Sequence, residues 1–259
     1  MAINDRSLFL YGFDITNLNQ YLNFTSSAGT FTAIIPVGNY TCTQLLTAIQ
    51  NQMMLADPSN IFFVSITRGV PTVSSNQITI STTGSTLSLL FSSGVNAGNS
   101  VASLLGFDAI DYTGHTSYTG SRNAGITLFP DFPIYDYLGP NEYQMNDMSK
   151  TISSAGLKET LVFAQMQFIS GNWKYINNFK GNTQLTQWES FLQYAIKQLQ
   201  FEFTPSVYES TSTFYPVTFE NGAGGKDGAG YKLTLMNKDG FYRFYETGNI
   251  ELRVVPNIT

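Results

Sequence analysis

The first hundred residues alternate short strand patterns with one helical pattern. Apolar residues recur at every second position over residues 30–35, which predicts a strand that ends before Pro36. Over residues 40–56 the apolar spacing becomes that of an amphipathic helix, with Thr41 or Thr43 as its N-cap. The face predicted to be buried consists of Leu45, Leu46, Ile49, Met53 and Met54.

Strand patterns continue after this helix. Residues 61–67 are predicted to pair with residues 77–81 across a glycine–proline turn region, and residues 86–91 form another strand. A short helix is predicted at residues 100–105, because Gly106 occupies the position that favours glycine after a helix end.

Between Asp108 and about Ser154 no hydrophobic period persists, and glycine and proline recur. The aromatic residues of this segment argue against a flexible linker, since disordered segments contain few of them. We therefore place the domain boundary here and expect the segment to lie along its own domain or a partner. The aromatic residues predicted to make these contacts are Phe129, Phe132, Tyr135, Tyr137 and Tyr143.

The second half of the chain predicts a sheet with one helix. Residues 157–169 and 172–179 are predicted to form a hairpin around Ser170-Gly171. Thr186-Gln187-Trp188-Glu189 matches a capping box, which predicts a helix start. The predicted buried face of this helix consists of Trp188, Phe191, Leu192, Ala195, Ile196 and Leu199. Further strands are predicted near residues 213–220, 230–236, 241–245 and 250–255.

These patterns predict an α+β, β-rich fold of two domains, each a mostly antiparallel sheet or sandwich with one main helix. Residues 1–120 form the predicted N-terminal α+β domain. Residues 121–154 form an extended connector rich in aromatic residues, proline and glycine. Residues 155–259 form the predicted C-terminal domain of an antiparallel sheet plus a helix.

Composition narrows the class of protein. Only 12% of the 259 residues are charged, against roughly 25% in ordinary soluble domains. Charge keeps soluble monomers dispersed, so this shortage favours a subunit whose surface is covered by neighbours. One His and one Cys leave few groups for catalysis. We therefore expect a structural protein, not an enzyme.

Several partner classes are disfavoured as well. The net charge is −5 and no basic cluster occurs, so we expect no sequence-specific nucleic-acid binding. No run approaches the ~20 consecutive apolar residues of a membrane span, and we expect no signal peptide, because the N-terminus lacks a basic region followed by an apolar one. Cys42 is the only cysteine and cannot form an intrachain disulfide.

The glycine-rich segment 220–230 does not match a phosphate-binding P-loop. Glu220 stands where such a loop needs glycine, and Asp227 stands after Lys226 where it needs Ser or Thr. We predict a long hairpin loop that becomes ordered on a neighbouring subunit. Its predicted contact residues are Gly224, Gly225, Lys226 and Asp227.

Other reactive residues are isolated in the sequence. His115 and Cys42 could serve as metal ligands or as a nucleophile pair, but neither belongs to a cluster with ligand spacing. A glycoside hydrolase needs two carboxyl groups that face one cleft. The candidates for such a pair are Asp131, Asp136, Glu142 and Asp147. We expect no catalytic residue, no metal and no cofactor.

Two stretches carry a resemblance. The turn Ile35-Pro36-Val37-Gly38-Asn39-Tyr40-Thr41 leads into the predicted helix, and the strand Gln77-Ile78-Thr79-Ile80-Ser81 and the turn Leu104-Leu105-Gly106-Phe107 follow. This pattern, over about residues 7–120, resembles virion structural proteins of tailed bacteriophages and some other large DNA viruses. Phe201-Glu202-Phe203-Thr204-Pro205, with residues 230–233 and 244–248, looks like phage tail or baseplate components. The resemblance implies an oligomeric, non-enzymatic part of the tail, baseplate or neck and carries over no catalytic residues.

We therefore expect a virion protein, made in the host cytoplasm, that assembles into a ring in the tail or baseplate through polar-aromatic interfaces. Its partners would be copies of itself and other virion structural proteins. Two alternatives stay open: a carbohydrate- or receptor-binding adhesive tail protein, and a neck or head–tail connector protein. An enzyme would require the four carboxylates named above to gather in one cleft.

Overall fold

The computed structural model describes residues 7–68, 76–130, 141–152, 158–178, 184–205, 214–222, 230–239 and 242–255. The chain divides into two compact units. The N-terminal unit comprises Leu8–Phe129 and Ser206–Phe214, and the C-terminal unit comprises Met1–Ser7, Pro130–Pro205 and Tyr215–Thr259. The predicted α+β, β-rich class is confirmed, since the described residues form several antiparallel sheets and two α-helices. The predicted domain limits at residues 120 and 154 stay a prediction.

The N-terminal unit contains most of the short strands and the longer helix. Its elements are β1 (Leu8–Tyr11), β2 (Phe13–Ile15), β3 (Tyr21–Ser26), β4 (Gly29–Ile34), β5 (Gly38–Tyr40), α1 (Cys42–Ala56), β6 (Phe62–Thr67), β7 (Gln77–Thr82), β8 (Leu87–Leu90), β9 (Asp111–His115), β10 (Ser117–Thr119) and β11 (Ile126–Leu128).

Antiparallel pairing organises these strands. One sheet has the order β4-β3-β8-β9 and another has the order β10-β7-β6, while β2 pairs with β5 and β1 pairs with β11. The predicted pairing of residues 61–67 with residues 77–81 is confirmed, with Val64 opposite Ile80.

Helix α1 begins where the sequence predicts. The hydroxyl of Thr41 accepts the N–H of Gln44 at 3.3 Å, and Gln44 Oε1 accepts the N–H of Thr41 at 2.9 Å, which completes a capping box. The helix packs on β4 and β6. Burying each large apolar side chain of its inner face contributes about 1.5–3 kcal/mol relative to exposure. The buried residues of α1 are Cys42, Leu45, Leu46, Ile49 and Met53.

The predicted helix at residues 100–105 is replaced by turns, although its glycine ending is present. Phe107 N–H donates to Ala102 O at 2.9 Å and Gly106 N–H donates to Ser103 O at 3.3 Å, the bond pattern of a Schellman motif. Gly106 has a φ of +78°, and a Cβ at this position would overlap the carbonyl oxygen of Arg122. The reversal directs Phe107 into the core, where it is fully buried.

Asp57 is a fully buried carboxylate at the C-terminal end of α1. Its Oδ2 accepts hydrogen bonds from Ser26 Oγ at 2.6 Å and Asn60 Nδ2 at 2.8 Å, and its Oδ1 accepts the N–H of Ser59 at 3.1 Å. Burial raises the pKa, but the three hydrogen bonds outweigh burial and hold the pKa of Asp57 below its ordinary value. The carboxylate ties the end of β3 to the end of the helix.

The C-terminal unit contains longer strands. Its elements are β12 (Asn141–Ile152), β13 (Lys158–Asn172), β14 (Ile176–Asn177), α2 (Gln184–Ala195), β15 (Phe201–Thr204), β16 (Tyr215–Gly222), β17 (Thr234–Asp239), β18 (Tyr242–Glu246) and β19 (Asn249–Val254). Consecutive neighbours within one sheet are β15-β16-β19-β13-β12, and a smaller sheet has the order β14-β18-β17.

Aromatic rings form the core of the C-terminal unit. The ring centroids of Trp173 and Trp188 lie 5.6 Å apart, and the ring of Phe203 meets that of Trp173 edge-on at 6.1 Å. Phe191 from α2 meets Phe201 from β15 edge-on at 5.1 Å. Trp188 is buried, as predicted for the inner face of this helix, and Trp173, just after the end of β13, is buried as well.

Three local predictions for this half of the chain are wrong. Strand β13 continues through Ser170-Gly171 without a turn, because these residues pair with β19. Helix α2 begins at Gln184, so Thr186 lies inside it and is not its N-cap. Strand β16 pairs with β15 and β19 whereas β17 pairs with β18, so the glycine-rich segment joins strands of different sheets and is not a hairpin loop.

The segment from Asp108 to Ser154, in which the sequence shows no lasting hydrophobic period, contains strands. These are β9, β10, β11 and β12. The first three of these strands are only three to five residues long, too short to show a hydrophobic period.

We expect Asp57→Asn to lower the free energy of unfolding at pH 7 by about 1–3 kcal/mol, because an amide presents a donor where the carboxylate accepts hydrogen bonds. The native pKa of Asp57 lies below the unfolded value, so its stabilisation is present above the unfolded pKa and is lost as the pH falls through the native pKa. Urea unfolding of both proteins should therefore show a difference that shrinks below about pH 4. A difference that stays constant down to about pH 2 would contradict this role.

Candidate interaction surface

Charge is distributed unevenly along the chain. Residues 8–129 include only six charged residues and neither Lys nor Glu. Residues 130–259, a stretch of similar length, include 23 charged residues. The shortage therefore lies mainly in the N-terminal unit. Its six charged residues in this range are Asp14, Asp57, Arg68, Asp108, Asp111 and Arg122.

The acidic groups on the surface of this unit are held by its own polar groups. Asp14 Oδ1 accepts a hydrogen bond from Asn39 Nδ2 at 2.7 Å. Asp111 Oδ1 accepts the N–H groups of Ser92 at 2.8 Å and Ser93 at 3.1 Å. Hydrogen bonds from Ser93 and Ser92 lower the pKa of Asp111 to about 2, so it is ionised at neutral pH.

The two arginines also have partners inside the unit. Arg122 Nε lies 3.4 Å from Asp108 Oδ1, and Arg122 Nη2 donates to the Phe107 carbonyl at 2.8 Å. Arg68 Nη2 donates to Thr43 Oγ1 at 3.2 Å, and its guanidinium lies 3.9 Å from the centre of the Phe214 ring. Asp57 is buried and hydrogen-bonded as described above. All six charged side chains therefore have a polar or aromatic partner within the unit.

The outer face of α1 carries no charge. None of the 15 residues of the helix is charged. Thr47, Asn51 and Leu55, four residues apart in turn, form its exposed stripe, and Leu55 is 75% exposed. Surface helices of soluble proteins place charged and polar residues on this side. The stripe is therefore suited to contact with another uncharged surface.

A second uncharged surface is the outward face of the sheet β10-β7-β6. Registered neighbours across the three strands form rows such as Ser65, Thr79 and Thr119. The alternate residues Val64, Ile80 and Tyr118 are buried on the opposite face. We call the outward surface the hydroxyl face; it consists of Phe63, Ser65, Thr67, Gln77, Thr79, Ser81, Ser117 and Thr119.

The hydroxyl face is open. Thr79 Oγ1 and Thr119 Oγ1 lie 2.8 Å apart and share a hydrogen bond along their row. Phe63, at the rim on β6, is 49% exposed and is the large apolar residue of the face. The adjacent edge of β6 is different, because Gln50 of α1 accepts the N–H of Val64 at 3.3 Å. That bond covers part of the edge against pairing with another strand.

A small cleft surrounds His115. Its volume is about 200 Å³, and it is lined by Ser85, Thr86, Leu87, Ser88, Gly114, His115 and Thr116. A bulge between β8 and β9 shapes it, where Gly114 has a φ of +90°. The lining contains neither a carboxylate nor a thiol, and Cys42 is buried at the start of α1. The cleft therefore offers hydroxyls and one imidazole, but no nucleophile–base pair.

The predicted site residues are only partly described. Phe129 is half-buried just after β11, and Tyr143 lies on β12 opposite Phe168. Glu142 and Asp147 also lie on β12. Outside the described residues are Phe132, Tyr135, Tyr137, Gly224, Gly225, Lys226, Asp227, Asp131 and Asp136. Contact through these residues stays a prediction, and the hydroxyl face was not predicted.

No known protein family matches the chain, and no curated protein matches it. Among the described residues, neither α1 nor α2 is long and apolar enough to cross a membrane. The described residues also contain no group of three or more His, Cys, Asp and Glu side chains that could hold a metal ion.

We expect Leu55→Lys to raise the solubility of the protein and to change its free energy of unfolding by no more than about 0.5 kcal/mol, because the residue buries little surface. Precipitation with polyethylene glycol and thermal unfolding measure the two effects. Asn51→Lys, which adds the same charge to the same stripe but removes no apolar group, is the matched control. A marked loss of stability in Leu55→Lys alone would mean that Leu55 packs within its own unit.

Proposed function

We propose that this chain is a non-enzymatic structural subunit of a tailed-phage particle, in the tail or baseplate, that assembles with copies of itself and with other virion proteins. The observation that best supports this proposal is how the charged side chains of residues 8–129 are bonded. All six are bonded within the unit, and its exposed surfaces offer hydroxyl, amide and apolar groups. The choice of a tailed-phage particle rests on the resemblance of residues 7–120 to virion structural proteins.

The physical reason is the cost of burying charge at an interface. An ionised group that is buried without a partner loses several kcal/mol of hydration, so charges are depleted at interface cores. Because the six charged side chains of residues 8–129 are satisfied within the unit, the surface of this stretch can be covered on several sides at once without that loss. A subunit enclosed by neighbours needs this property, whereas a dispersed monomer relies on surface charge for solubility.

The test is self-association of the purified full chain at low and high salt. We expect oligomers in sedimentation velocity, and we expect them to persist between about 0.05 M and about 1 M NaCl, because ionic screening weakens charged contacts and leaves uncharged ones intact. A monomer at every concentration, with no incorporation when added to particles that lack this chain, contradicts the proposal. Dissociation of the oligomers in high salt would contradict the claim that their interfaces are uncharged, but not the claim that the chain self-associates.

A receptor-binding tail protein is the second candidate. The cleft at His115 favours it, because neutral sugars are bound through hydroxyl and imidazole groups of the kind that line it. Since His115 is the only histidine, its imidazole proton signals are unambiguous in NMR spectra. A saturable shift of these signals during titration with neutral monosaccharides would favour this candidate, and unchanged signals would remove its support.

A further inference from the structure

We propose that the peptide bond between Asp57 and Pro58 is a latent self-cleavage site, and that the hydrogen bonds of the buried Asp57 carboxylate hold it intact while the N-terminal unit is folded. Asp57-Pro58 is the only Asp–Pro pair in the chain. It lies between the end of α1 and the start of β6. The inference goes beyond the proposed function, because it concerns the chemistry of one bond and not the partners of the chain.

The side chain of an aspartate can attack the main-chain carbonyl carbon of its own residue. In acid, one carboxyl oxygen of Asp57 bonds to that carbon, the carboxyl proton passes to the nitrogen of Pro58, and the carbon–nitrogen bond breaks. The products are a cyclic anhydride at Asp57 and a free secondary amine at Pro58, and water then opens the anhydride to a pair of carboxyl groups. Proline is a favourable leaving group, because the nitrogen of its tertiary amide accepts a proton more readily than that of an ordinary peptide.

The fold holds this carboxylate away from the reaction. Both oxygens accept hydrogen bonds: Oδ2 from Ser26 Oγ at 2.6 Å and Asn60 Nδ2 at 2.8 Å, and Oδ1 from the N–H of Ser59 at 3.1 Å. The carboxyl group must leave these donors before it can rotate onto its own carbonyl carbon. The N–H of Asp57 also donates to Met53 O at 2.9 Å, which fixes the backbone at the end of the helix. Cleavage therefore requires that this corner of the unit first open locally.

Burial of the carboxylate is a second barrier. Asp57 is fully buried, so the water that would open the anhydride does not reach it. The elements that meet it bring no charge: β3 contributes Ser26, the turn after the helix contributes Ser59 and Asn60, and α1 has no charged residue. The pKa of Asp57 lies below its ordinary value, so the folded carboxylate stays ionised at a pH where the same group in an open chain is protonated. Acid therefore acts first on copies that have opened.

The position of the bond gives cleavage a structural consequence. Residues 1–57 contain β3 and α1, whereas residues 58–259 contain β8, which pairs with β3, and β6, on which α1 packs. A cut copy thus has the core of its N-terminal unit divided between two chains. It can refold only by association of the two pieces, so acid makes an otherwise reversible opening permanent.

The test follows cleavage of the full chain by mass spectrometry, at the lowest pH at which circular dichroism shows the wild-type protein folded. A parallel sample at the same pH is opened in urea. We expect the pieces 1–57 and 58–259 to form at least about tenfold faster in urea, because the folded protein reacts only through its small open population. Pro58→Ala should abolish this cleavage in both samples.

Two variants weaken the hydrogen bonds without changing the labile bond. We expect folded Ser26→Ala to be cleaved at least about tenfold faster than the wild type, because a lost hydrogen bond to a charged group shifts an opening equilibrium by about that factor. Asn60→Ala, which removes the bond at 2.8 Å, is the second variant in case Ser26→Ala does not fold. Ser59→Ala is the matched control, since it keeps the backbone donor and should be cleaved at the wild-type rate.

Circular dichroism at the same pH establishes which variants are folded. Equal cleavage rates in the folded and the urea-opened wild type overturn the inference. So does an unchanged rate in the folded variants that lack a hydrogen bond, or cleavage that Pro58→Ala does not abolish. None of these outcomes bears on self-association of the chain, so failure of this inference and failure of the proposed function are distinguishable.

Discussion

The packing of α1 on β4 and β6 is the interaction on which the N-terminal unit depends. These strands belong to different sheets, so the buried stripe from Leu45 to Met53 is what brings both sheets into one core. Each sheet alone would be a thin layer with an open apolar face. Apolar burial and hydrogen bonds thus stabilise the unit with very little help from ion pairs. The same packing leaves the opposite side of the helix and the hydroxyl face uncovered.

The elements that were predicted correctly are those specified by local spacing. The apolar period and the Thr41–Gln44 capping box of α1 lie within one short stretch, and the adjacent strands β6 and β7 alternate clearly. The errors arise where pairing with a strand far along the chain determines the local structure. Ser170-Gly171 looks like a turn, but its backbone pairs with β19 some eighty residues later. The hydroxyl face escaped prediction for the same reason, because β10 joins β7 only through pairing over about forty residues.

The low content of charged residues is easier to interpret when the two parts of the chain are compared. Residues 130–259 have a charge content not far below that of ordinary domains, whereas residues 8–129 are almost free of charge. Selection on composition as a whole would have affected both halves. A shortage that is strongest in residues 8–129, whose six charged side chains are all bonded within the unit, points to a requirement of that unit's own surface. Contact with uncharged neighbours is a requirement of that kind.

The absence of lysine from residues 8–129 also determines how this protein can be studied. Amine-reactive cross-linkers and dyes have no side chain to modify there, so any cross-link they form reports on the surroundings of the other residues. Trypsin can cleave this stretch only after Arg68 and Arg122, which leaves long peptides. Neighbours of the N-terminal unit will therefore be mapped by chemistry directed at carboxylates, at tyrosine rings, or at cysteines introduced on the surface.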